Sequence, residues 1–155
     1  MSQCEIHDAL RLNARSAWES ALLGQDDAVT RLERALLDLP QLQLGVEHLV
    51  HGGMCARTVL IPAGTVVTGA LLNLDNICVM WGDISVTTDD GARRLTGFHV
   101  LPAKAGKKRA GYAHADTWWS AIWPTQLRDV GDIEDEMTAQ SAQLQSRWFI
   151  DMAAQ

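Results

Sequence analysis

The sequence predicts a mainly β protein, an antiparallel β-barrel flanked by N-terminal helices and a C-terminal helix. Three observations predict it. Helical apolar spacing is confined to residues 1–40 and 126–155. Between them, short β-rich runs alternate with Gly, Pro and Asp turns. No helical segment of a dozen residues interrupts those runs, so a parallel α/β sheet is disfavoured.

In the N-terminal part, Ile6, Leu10, Ala14, Ala17 and Ala21 recur at helical spacing, with Trp18 and Leu22 widening the stripe. Gly24 reads as the stop. Asp26 or Asp27 can cap a second helix, in which Val29, Leu32, Leu36 and Leu37 form the apolar stripe. Glu33 and Arg34 fall on the opposite, solvated side, and Pro40 closes the segment.

Strand-like runs then occupy 43–49, 56–61, 65–72, 77–81, 84–88, 93–95, 99–101, 109–113 and 117–122. The punctuation between them includes Pro62-Ala63-Gly64, Trp81-Gly82-Asp83, Asp89-Asp90-Gly91 and Lys104-Ala105-Gly106. Asp90-Gly91 between two such runs signals a hairpin. Closely spaced short strands imply a sandwich or barrel over 41–125. Past Pro124, Asp129 or Asp132 can cap a final helix carrying Ile133, Met137, Leu144 and Trp148. The acidic cluster Asp132, Glu134, Asp135 and Glu136 suits a helix start better than a metal site.

A chain of 155 residues, 47% hydrophobic and 21% charged, is long enough for one self-sufficient core. Its net charge of -6 gives no general nucleic-acid surface. Cys4, Cys55 and Cys78 lack the spacing of a disulfide framework or zinc site. No apolar leader or membrane span is visible, so the expectation is a soluble cytoplasmic protein.

Ile61-Pro62-Ala63-Gly64-Thr65, then Met80-Trp81-Gly82-Asp83-Ile84-Ser85-Val86 and Asp89-Asp90-Gly91, resemble the first half of a cupin domain. Lys104 to Arg109 looks like the second cupin motif, and the resemblance spans roughly Gln41 to Thr125. It implies a jelly-roll barrel. The longer string from Leu39-Pro40-Gln41 to His114-Ala115-Asp116-Thr117 is similar to small cupin-like proteins of bacteriophages and prophages. That similarity implies an accessory protein acting in the host cytoplasm.

Placed on the cupin turns, the histidine positions of the family fall on Ala70, Leu72 and Arg109, and its acidic position on Asp75. Alanine and leucine do not coordinate metals, and guanidinium stays protonated. The resemblance therefore implies a degenerate metal site, with no cofactor. His7, His48, His51, His99 and His114 are scattered along the chain.

The functional expectation is a non-catalytic barrel binding a small anionic, nucleotide-like molecule. Arg109 would point a fixed charge inward, toward either an anion or Asp75 in a plugging salt bridge. Arg57 shares parity with Val59 and Ile61 and could join it. Lys107 and Lys108 read as a solvated loop or, at a barrel mouth, as steering charges. Of adjacent Trp118 and Trp119, one must face inward, and Trp118 is the aromatic carried into the candidate site with Tyr112 and His114. The alternatives are acid–base catalysis by His114 and Tyr112, a relocated metal site, or a packed barrel whose helices form a homodimer.

Overall fold

A computed structural model describes residues 2–23 and 27–147, without the side chains of residues 3, 4, 6, 7, 10 and 11. Gly24, Asp26 and Trp148, all given roles above, lie outside the described residues, as do the side chains of Ile6 and Leu10. The fold is mainly β and antiparallel, flanked by helices. Helices α1 (Gln3–Leu22) and α2 (Ala28–Leu37) precede strands β1 (Val46–His51), β2 (Met54–Ile61), β3 (Val66–Thr68), β4 (Asn76–Thr88), β5 (Gly91–Ala103), β6 (Ala110–Ala113) and β7 (Thr117–Pro124). Helix α3 (Val130–Met137) and a 3-10 turn (Ser141–Gln143) follow.

Helix α1 starts at a capping box, in which the Ser2 hydroxyl accepts from the Glu5 amide and Glu5 accepts from the Ser2 amide. Asp27 precedes α2 in a left-handed conformation, φ 57°, and its side chain caps nothing. Of the two candidate caps, Asp27 therefore does not serve. Helix α2 buries Ala28, Leu32 and Ala35 and leaves Leu37 exposed. Together with Ala21 and Ala110 they form a core between the helices and the outer side of β3 and β6. Glu33 is not a solvated residue: it accepts a hydrogen bond from Thr68 Oγ1 at 3.0 Å and pairs with Lys108 Nζ at 2.7 Å. It fastens α2 to the sheet.

The strands order as β1-β2-β7-β4-β6-β3, with β5 also paired to β4. Pairing of β2 with β7 and of β3 with β6 joins distant segments and curls the sheet into a barrel. Where the sequence suggested two pairs of short runs, β4 and β5 each continue for 13 residues. Gly82 and Gly97 explain it. They are cross-strand partners at φ 149° and 84°, so the ribbon bends there without breaking. The Asp89-Asp90 hairpin forms as expected, with Gly91 at φ 118° opening β5.

Alternation sorts side chains by face. Ile61, Met80, Ile84, Leu95 and Ala113 form the middle of the inner core, with Trp119 against them. A second inner cluster, Cys55 and Trp123, is covered by Ile133 and Met137 of α3 and by Leu144. Ala70 and Leu72 pack on this cluster.

The final helix is shorter than expected. Asp129 does cap α3, accepting from the Asp132 amide at 3.1 Å, but Thr138 is extended and breaks the helix. Its hydroxyl instead donates to the Leu71 carbonyl at 2.7 Å, docking α3 on the loop before β4. Glu134, almost fully buried, holds the segment that follows. It accepts from Arg147 Nε and Ser146 Oγ, both at 2.6 Å, and lies 3.3 Å from His48 Nε2 of β1. Burial would raise its pKa, but contacts from His48, Ser146 and Arg147 outweigh that and hold it at about 2.

Two outcomes test these points. A Cβ at Gly82 would lie 2.7 Å from Thr117 Cα and 2.8 Å from the Asp116 carbonyl, whereas one at Gly45 meets nothing within 4 Å. Gly82→Ala should lower unfolding free energy by at least about 2 kcal/mol in urea titrations, and Gly45→Ala by less than about 0.5 kcal/mol. Because the Glu134 carboxyl is depressed on folding, its stabilisation is complete above the unfolded pKa of about 4.5 and fades as pH falls toward about 2. Glu134→Gln should cost roughly 3 kcal/mol at neutral pH and flatten stability against pH across that window.

Candidate functional site

The inner face of β1, β2, β7, β4 and β5 carries one row that runs His48, Arg57, Ala121, Cys78, Leu101 from strand to strand. Arg57 is thus an inward residue, as its parity with Val59 and Ile61 implies. It lies between the two inner hydrophobic clusters. Its neighbours across the row, Ala121 and Cys78, are small, which leaves the guanidinium space that a larger pair would fill.

Three buried side-chain nitrogen or oxygen atoms lack a hydrogen-bond partner among the described residues: Arg57 Nε, His48 Nε2 and Trp123 Nε1. All three belong to the inner face of three consecutive strands. His48 pairs directly with Arg57 across β1 and β2, and Trp123 pairs with Cys55, two residues before Arg57. The arginine and indole N–H groups can only donate. His48 Nε2 faces Glu134 Oε1 at 3.3 Å, outside hydrogen-bond geometry. Arg57 forms no ion pair among the described residues. Burial pushes its pKa down, and the charge of Glu134 restores part of the loss.

The other expected site residues are placed elsewhere. Arg109 does not point into the barrel and does not meet Asp75. It pairs with Asp89 at 3.1 Å on the surface, at the tip of the β4–β5 hairpin. Lys107 reaches the same carboxylate at 3.3 Å, and hydrogen bonds from both cations lower the pKa of Asp89. Each cation of the basic run pairs with a carboxylate of the chain, Lys107 and Arg109 with Asp89 and Lys108 with Glu33. Asp75 is exposed and accepts from the Ala105 amide at 2.8 Å, bracing one turn against another.

Tyr112 faces outward and packs against Trp18 of α1, with ring centroids 6.4 Å apart. It also meets the edge of the exposed His114 ring at 4.9 Å. His114 Nε2 lies 2.7 Å from Ser85 Oγ. Beside them, Arg94 donates twice to Asp83, at 2.8 and 2.7 Å, which lowers the pKa of that carboxylate. This polar cluster covers the outside of the sheet and is separate from the inner row. Trp118 also lies outside, whereas Trp119 is the tryptophan turned inward. The structure therefore keeps Arg57 within the barrel and separates it from Arg109, Asp75, Tyr112, His114 and Trp118.

His48, Trp123 and Glu134 were missed from the sequence. His48 shares the parity of Val46 and Val50, a signal in the sequence that marks it as inward. Burial of Glu134 depends on where α3 docks, which no local pattern encodes. No group of three or more His, Cys, Asp or Glu residues suited to a metal occurs among the described residues. Burial raises the pKa of Cys55 and Cys78, keeping both as thiols. A surface pocket of about 400 Å³ beside the β1–β2 turn, lined in part by His51, Gln126 and Arg128, contains none of the expected site residues. Among the described residues no helix is long and apolar enough to cross a membrane.

No protein-family model matches the sequence, and no curated protein matches it. Solved structures do resemble the fold. A cupin superfamily protein from Desulfitobacterium hafniense is 18% identical, covering 57% of this chain and 83% of its own, with a TM-score of 0.46. An RmlC-like cupin family protein with a double-stranded β-helix fold from Methanocaldococcus jannaschii is 12% identical over 54% and 81%, with a TM-score of 0.45. KdgF from Halomonas sp. is 20% identical over 56% and 81%, with a TM-score of 0.45. The fold class itself rests on the strand order and pairing of this chain: a curled antiparallel sheet with helices on its flanks.

Proposed function

We propose that the protein binds a small anion, without catalysing a reaction, on the inner face of the barrel at Arg57. One observation carries this reading: the buried Arg57 Nε and Trp123 Nε1, which have no acceptor among the described residues, lie on one face of adjacent strands, with His48, beside Glu134, next to Arg57 in the same row. A buried cation is costly unless paired, and buried N–H groups without acceptors are costly in the same way. A carboxylate or phosphate supplies both the charge and the acceptor oxygens. The nucleotide-like ligand suggested by the sequence meets that requirement through its phosphate. The aromatic wall would then be Trp119 rather than Trp118. An accessory role, in which a phage-encoded protein sequesters or senses a host signal, is compatible with such a site and is part of this proposal.

Calorimetric titration with inorganic phosphate, citrate and AMP tests it. At least one should bind the wild-type protein, and Arg57→Met should weaken that binding by at least about tenfold. Trp123→Phe, which deletes only the indole N–H, should weaken it to a smaller extent, and Arg109→Ala should leave it intact. Because Arg57→Met removes an unpaired buried charge, the melting temperature without ligand should rise. Binding that survives Arg57→Met, or no binding of any of the three anions at millimolar concentration, would overturn the proposal.

A further inference from the structure

The same alternation that turns Arg57 inward leaves the opposite side of β1, β2, β7, β4 and β5 without a covering element among the described residues. Its side chains align in rows. Leu60, Trp118, Trp81 and Phe98 are successive cross-strand neighbours in one row. In the next row the chain runs Glu47, Thr58, Ser120, Val79, Val100, and in the third Leu49, Ala56, Ile122, Ile77, Pro102. Glu47, at one margin, is the only charged side chain in the three rows. The two hydroxyls at the centre, Thr58 and Ser120, bond to each other at 2.6 Å, one donating and the other accepting, so they present little polarity to a partner.

Helices α1 and α2 cover the outer side of β3 and β6, not this surface. Six large apolar residues of the face, Leu49, Ile77, Trp81, Phe98, Val100 and Trp118, are between 42% and 67% exposed. Together they present on the order of 600 Å² of apolar surface, at the top of what the largest patch of a monomer shows. With the flanking atoms of the rows, the face approaches the ~800 Å² per partner of a stable interface.

We infer that this sheet face is a homodimer interface, occupied by the same face of a second copy. A surface with one marginal charge, its central hydroxyls bonded to each other and two tryptophans in a flanking row has the composition of a homodimer interface, where charge is depleted and aromatic residues are enriched. Two copies related by a twofold axis would pack sheet on sheet, each presenting the patch that it receives. The dimer is formed by the barrel strands, not by the flanking helices, and it leaves the inner face of each barrel untouched.

Sedimentation velocity of the full chain, from about 1 to 100 µM, reads the result directly. The wild type should sediment as a dimer, with tryptophan emission shifting to the red as it dissociates on dilution. Phe98→Glu and Trp81→Lys, both at exposed positions, should each raise the dissociation constant by at least about 30-fold. Far-ultraviolet circular dichroism should be unchanged. Leu127→Glu, exposed but away from this face, should remain dimeric and serves as the control. A monomeric wild type at 100 µM would overturn the inference, leaving the face to a different occupant. A dimer that persists in both Phe98→Glu and Trp81→Lys would also overturn it.

Discussion

Thirteen residues of β4 pair at once with β5, β6 and β7, and that single strand sets the sidedness of the whole barrel. Once Met80 and Ile84 point inward, register forces Trp119, Ala113 and Leu95 inward beside them, and Trp81 outward. The strand can serve three neighbours only because it bends at Gly82, where the approach of the Thr117 backbone leaves no space for a side chain. A slip of one residue would turn Met80 and Ile84 outward and carry Trp81 and Asp83 into the interior.

Much of this was legible locally. Period-two alternation shows that Arg57 accompanies Val59 and Ile61 and that adjacent Trp118 and Trp119 must part company. The Asp-Asp-Gly turn marks its hairpin by chemistry alone. Positions Ala70 and Leu72, which lack metal-ligand chemistry, are built into an apolar cluster under α3. What resisted reading is long-range. Arg109 finds Asp89 because the end of one hairpin lies beside the loop before β6, 20 residues away in sequence. Glu33 looks solvated on a helical projection, yet the docking of α2 brings Thr68 and Lys108 to it. The bend that joins two short runs into one strand depends on glycines that face each other only after pairing.

The distribution of polarity departs from that of a simple barrel at two places. Inside are an arginine Nε–H and an indole N–H without acceptors among the described residues; outside, on a sheet face that the described helices do not cover, lie tryptophan, phenylalanine and valine. The first arrangement costs stability unless something else is gained. The second leaves water against surface that would be favourable to remove from it. Both depart from the rule that each level of structure supports the others, and such departures are where function is expected to reside.

The Gln145 side chain donates to the Leu42 carbonyl and accepts from the Leu44 amide, while Arg147 and Ser146 grip Glu134. The last described turn is thereby clasped to the segment that opens the sheet, across roughly a hundred residues of chain. During synthesis from the N-terminus, β1 and its inward His48 emerge long before the residues that close over them. This barrel end therefore stays open to water until residues 145–147 have emerged, and its sealing is a late, high-contact-order step of assembly.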